Sequence, residues 1–161
     1  MAVWQFSFEL VPAKAHDELR RLNAATFADM DAIPRCGGED VTRFLAKVEQ
    51  ILPRVSSLSE LIDIWGDEDD VTVQHWHASH GIKVRVHVGK YGPTSSATLD
   101  DLLSAARNQH LVVLLLDDLS LLEAELRPIE RAMQESRAMR FIRNPSEYLR
   151  GLGKNNPMEE K

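Results

Sequence analysis

The sequence predicts an α+β fold: an antiparallel β-sheet of about four to five strands, including a central meander or hairpin, with helices packed on it. Three observations predict it. VWQFSFEL at residues 3–10, and two runs within residues 69–89, alternate apolar with polar residues at the period of a half-buried strand. Residues 40–52, 98–109 and 128–139 instead repeat their apolar positions at helical spacing. The strands also cluster mid-chain rather than alternating with helices, which disfavours a doubly wound parallel sheet.

In VWQFSFEL, Trp4, Phe6, Phe8 and Leu10 share one face, and Pro12 ends the strand. Residues 15–25 have helix-forming composition, and MDAIPRCGG at 30–38 reads as a loop. DVTRFLAKVEQIL at 40–52 puts Val41, Phe44, Leu45, Val48, Ile51 and Leu52 on one helical face, with Asp40 as the expected cap and Pro53 as the stop. LIDIWG at 61–66 is a short strand of β-formers, followed by an acidic turn and the two strands of a hairpin.

GKYGPTSS at 89–96 is expected to interrupt pairing as a loop, with a helix starting at a Thr98 cap and Asp100 and Asp101 in its first turn. LVVLLL at 111–116 reads as a buried strand. PIERAMQESRAM from Pro128 is expected to be one helix with Ile129, Ala132, Met133 and Ser136 inward. A further helix starts with Asn144 as cap, Pro145 at the first position and Glu147 at the capping-box position, and Gly151 or Gly153 supplies its stop. The expected organisation is a single α+β domain over 1–153 and a flexible tail over 154–161, for no repeat or low-complexity linker divides the chain.

A chain of 161 residues, 43% hydrophobic and 27% charged, has an ordinary globular composition. Its longest apolar run falls far short of the ~20 residues of a membrane-spanning helix. Residues 1–12 lack the basic and continuous apolar regions of a signal peptide. A cytoplasmic protein is expected, and the single cysteine, Cys36, fits a reducing compartment. The net charge of −6 lies in the first half, where residues 1–80 carry 14 acidic and 7 basic side chains. Glu60, Asp63, Asp67, Glu68, Asp69 and Asp70 have no basic residue among them, a run that repels nucleic acid and favours a basic partner. The six arginines between Arg127 and Arg150 make a modestly basic region, but the chain has no aromatic-basic motif and a pI near 5.5.

Four of the six histidines lie in DDVTVQHWHASHGIKVRVHVG, residues 69–89. Alternation places His75 and His77 with Val71 and Val73 on one strand face and Trp76 on the other, while His80 falls in the turn and His87 on the opposite face. A turn around Ser79 and His80 is expected to pair His77 with Ile82 and His75 with Val84, turning both histidines to the core. Two histidines at i and i+2 suit zinc but leave it short of a third ligand within the hairpin, so no metal or other cofactor is expected. No nucleophile-elbow, phosphate-loop or dinucleotide-binding motif is present. The acidic pairs Asp100/Asp101 and Asp117/Asp118 read as a helix start and a turn rather than as magnesium ligands.

WQFSFELVP, IDIWGDEDDVTV, IKVRVHVG and SRAMRFIRNPSEYLRGL, in that order, resemble the small cytoplasmic immunity-type proteins that accompany bacterial polymorphic toxins, a loose group of α+β binding domains. The resemblance covers most of the chain through strand and cap patterns and supplies no catalytic residues. It implies a non-enzymatic protein that neutralises a cognate toxin by occluding its active surface, with no nucleic-acid or membrane partner. Asp67, Glu68, Asp69 and Asp70 would then face a basic toxin surface, with Trp65 or Trp76 as an aromatic anchor. Two other readings stand beside it. One is a metal-dependent enzyme using His75 and His77; the other is a structural or regulatory domain forming homo-oligomers through an unpaired sheet edge.

Overall fold

The computed structural model describes residues 3–14, 35–57 and 59–154. Among these residues seven strands form one sheet: β1 (Gln5–Pro12), β2 (Arg54–Val55), β3 (Ile62–Gly66), β4 (Val71–Trp76), β5 (Gly81–His87), β6 (Leu111–Leu115) and β7 (Leu121–Leu122). Their order across the sheet is β2-β3-β4-β5-β1-β6-β7, and every neighbouring pair is antiparallel. The fold is therefore α+β, with the five longer strands where alternation (β1, β4, β5), β-forming composition (β3) and a continuous apolar run (β6) put them. The two-residue β2 and β7, too short to show a period, extend the sheet at either edge.

The helices among the described residues are α1 (Gly38–Ile51), α2 (Pro93–Asn108), α3 (Leu126–Glu135), α4 (Arg137–Arg143) and α5 (Pro145–Lys154). Phe6, Phe8 and Leu10 of β1 stand beside Val86, Val84 and Ile82 of β5 in register, and these residues meet Phe44 and Val48 of α1, Leu99 and Leu102 of α2, and Ile129 and Met133 of α3 in the main core. Phe8 and Phe44 are fully enclosed, and burial of such a side chain stabilises the fold by about 1.5–3 kcal/mol. On the other sheet face Val11, Val112 and Leu114 form a smaller cluster with Leu119 and Leu121. Glu9 is also buried on that face and is ion-paired with Arg35.

Several boundaries differ from expectation for identifiable reasons. α1 begins two residues early, with Gly37 rather than Asp40 at the cap; Asp40 lies in the first turn, where the helix dipole favours it. α2 begins at Pro93, because proline suits the first helical turn where its missing N–H costs nothing, so Thr98 is interior and Asp100 and Asp101 lie beyond the first turn. The segment from Pro128 is two helices. Ser136 breaks it, accepting from the Met139 N–H at 3.2 Å to cap α4 and donating to the Met133 carbonyl at 2.6 Å.

Asn144 does cap α5, accepting from the Glu147 N–H at 3.2 Å and donating to the Glu147 carboxylate at 2.8 Å. Gly151 and Gly153 lie inside that helix rather than ending it. The β4–β5 hairpin keeps the expected faces but slips by two residues, pairing His75 with Ile82 and Trp76 with Gly81 around a four-residue connection. A two-residue slip preserves the face of every side chain. It also ends β4 at Trp76 and leaves His77 in the turn, where its side chain is 43% exposed instead of facing the core. The helix expected over 15–25 and all but Lys154 of the tail lie outside the described residues.

Candidate functional site

The β3–β4 ladder places Asp63 opposite His75 on the core side of the sheet. His77, just past the end of β4, folds back so that its Nε2 lies 2.8 Å from Asp63 Oδ2, and His75 Nδ1 lies 4.0 Å from the same oxygen. The other oxygen, Oδ1, is ion-paired with Arg54, the residue of β2 whose guanidinium lies 5.7 Å from the Trp65 ring centroid. The His80 ring stacks on His75 at a centroid separation of 6.2 Å, held there by a left-handed backbone at φ 52°. Two imidazoles and a carboxylate thus converge at the end of the sheet, bordered by a third imidazole.

Partial burial opposes ionisation of Asp63, but hydrogen bonds to His77 and Arg54 hold its carboxyl below the ordinary carboxylate range. It is ionised at neutral pH, so the His77 N–H donates to it. Burial first, and then the neighbouring His77, push His75 down from the usual imidazole range and keep it neutral. His75 is only 8% exposed, and neither of its ring nitrogens has a hydrogen-bond partner among the described residues. A buried polar group left so is uncommon and points to water or an ion.

Asp63 is the group that the hairpin alone could not supply. Its position was nonetheless readable: pairing LIDIWG with the next strand through the acidic turn puts Asp63 across from His75. His87 lies on the opposite face beside Gln5, away from the cluster.

The acidic turn sits at the far end of the same ladder. Gly66 enters it with a left-handed φ of 92°, and the Asp67 N–H donates to the Val71 carbonyl at 3.2 Å. The Asp67 side chain accepts from the Asp69 N–H at 2.8 Å, fixing the loop locally. Asp67, Glu68 and Asp69 are exposed, and Lys90 holds the Asp69 carboxyl below its ordinary range through an ion pair at 2.5 Å. Asp70 is partly buried, with an enclosed Oδ1.

The two candidate anchors separate cleanly. Trp65 is 2% exposed and belongs to the core, so it offers no surface; Trp76 is 40% exposed. Trp76 pairs with Ile62, and Ile64 pairs with Val55 on the same sheet face, making a partly exposed apolar strip near the β2 edge.

Elsewhere, Asp118 accepts from the Ser120 N–H and hydroxyl at 3.0 and 2.7 Å, as a turn residue does. With Asp117, Glu135, Arg137 and Arg140 it lines a cavity of about 320 Å³ whose charges oppose one another. Cys36 is buried against the Leu10 carbonyl, and its burial pushes the thiol up to about 11, which suits packing rather than nucleophilic chemistry.

Fold and site together define an α+β protein with a His/Asp cluster at one end of a strand ladder and an ordered acidic turn at the other. Comparison of the chain with protein-family models, with curated proteins and with solved structures found no match in any of the three. Among the described residues, no helix is long and apolar enough to cross a membrane.

Proposed function

We propose that the chain is a non-enzymatic binding module of the immunity type, neutralising a cognate protein toxin by covering its active surface. The observation that carries this reading is the acidic turn, whose exposed Asp67, Glu68 and Asp69 are presented on a loop tied by its own hydrogen bonds. A fixed array of carboxylates meets a basic surface without first losing the entropy of a mobile loop. Trp76 and the apolar strip lie four ladder positions away, roughly 14 Å along the strands. Both fit within one standard interface of roughly 800 Å² per partner, with Trp76 as the aromatic anchor.

Self-association through a sheet edge is less well supported, since both edge strands have only two residues and offer a partner little to pair with. The test is the neighbouring reading frame, and binding and growth protection against any toxin-like domain it encodes. Wild-type protein binds and protects, whereas a Asp67→Lys/Glu68→Lys double variant of unchanged Tm binds at least about tenfold more weakly, or ~1.4 kcal/mol. Absence of binding overturns the reading. Binding that survives both the charge reversal and Trp76→Ala overturns the surface.

A further inference from the structure

We propose that Asp63, His75 and His77 form a binding site for a single divalent transition-metal ion of the zinc type. Their ligand atoms all lie within 4.8 Å of one another. An ion about 2.0–2.1 Å from each donor in tetrahedral geometry sets donors roughly 3.3 Å apart. The separations of 2.8 Å from Asp63 Oδ2 to His77 and 4.0 Å to His75 bracket that value, so side-chain shifts below about 1 Å close the site.

His75 supplies a further observation, its buried ring, with a side chain 11% exposed, having neither nitrogen hydrogen-bonded among the described residues. An ion gives that orphaned group its partner. Neutral imidazoles and an ionised carboxylate are the protonation states that ligate, and this N₂O set is one that suits zinc and its first-row neighbours better than calcium or magnesium.

The carboxylate is arranged to bind through one oxygen, because Arg54 occupies Oδ1 and orients the group from outside. On binding, the ion replaces the proton that His77 Nε2 shares with Asp63 Oδ2, and the ring takes the tautomer protonated on Nδ1. Three protein ligands leave a fourth position, bordered by His80, for water. The ion would clip β3, β4 and the β4–β5 connection together at the end of the sheet opposite the acidic turn. The site is far from the acidic turn and on the opposite sheet face from Trp76, its chain neighbour, and metal titration reads it without the toxin.

The test uses full-length, tag-free protein stripped with chelator and titrated with zinc chloride by calorimetry and with cobalt chloride by visible absorption. One equivalent binds, cobalt acquires the d–d bands of a low-symmetry nitrogen-oxygen site, and Tm rises in a chelator-reversible way. His77→Ala, at a half-exposed turn position, removes the one-equivalent step while the metal-free Tm holds. Arg54→Ala weakens it about tenfold through loss of the outer partner. His87→Ala, on the opposite sheet face, leaves it unchanged. Absence of a stoichiometric step with either metal overturns the proposal, and so does a step that persists in both His77→Ala and Asp63→Asn.

Discussion

Replacing Gly66 by alanine tests how firmly the acidic turn is built. At φ 92° an added Cβ would lie 2.1 Å from the Val71 carbonyl oxygen and 3.2 Å from Leu52 Cδ1. The left-handed backbone alone costs an L-residue about 1–2 kcal/mol. The Val71 oxygen must also retreat from the Asp67 N–H it accepts from, forfeiting a hydrogen bond worth about 0.5–1.5 kcal/mol. The sum is a destabilisation of about 2.5 kcal/mol, or roughly 5–10 °C in Tm for a domain of this size. Urea unfolding followed by circular dichroism measures it. Gly151→Ala is the control: nothing lies within 4 Å of the added Cβ, and in a helix interior alanine is favoured by about 0.5–1 kcal/mol. A Gly66→Ala variant within 1 kcal/mol of wild type would refute the reasoning, by showing that the turn yields freely.

Cys36 should react with a disulfide reagent at pH 8 at least about tenfold more slowly than an ordinary thiol, because raising its pKa from 9.0 to about 11 cuts the thiolate fraction about a hundredfold and the more basic thiolate regains only part of that in nucleophilicity; a rate equal to that of free cysteine refutes the burial. Tyr91 donates to Glu130 at 2.8 Å and is pushed up to about 12, by burial first and then by the Glu130 carboxylate against an opposing Ser96 contact. The fold favours the neutral phenol, so its stabilisation is complete below pH 10 and is lost as pH rises through about 12. Thermal melts over that window should show a smaller decline for Tyr91→Phe than for wild type, and identical declines would count against the contact.

Periodicity revealed β1, β4 and β5 because each turns one face to the core, as Phe6, Phe8 and Leu10 do in β1, whereas β3 showed by its β-forming residues and β6, buried on both faces, by its continuous apolar run. It could not reveal Arg54–Val55 or Leu121–Leu122, which are held by neighbours rather than by pattern. The site was half legible. His75 and His77 stood out by their spacing, but recognising their carboxylate required pairing across two hairpins instead of one. Trp65 shows the converse limit: a tryptophan beside an acidic run looks like an anchor until tertiary packing encloses it. Ser136 was expected as an inward helix residue and is buried, yet its hydroxyl also ends one helix and starts the next.

The position of β1 bears on how the chain reaches this state. Phe6 pairs with Val86 and Phe8 with Leu115, so this interior strand is closed in by segments made long after it. Loop-closure entropy opposes such contacts before any burial rewards them, and high contact order slows folding accordingly. Until β5 and β6 arrive, both hydrogen-bonding edges of β1 and its row of Phe6, Phe8 and Leu10 are open to other chains. During synthesis at about 5–20 residues per second that exposure lasts several seconds, a window in which a chaperone or another nascent chain competes for the strand.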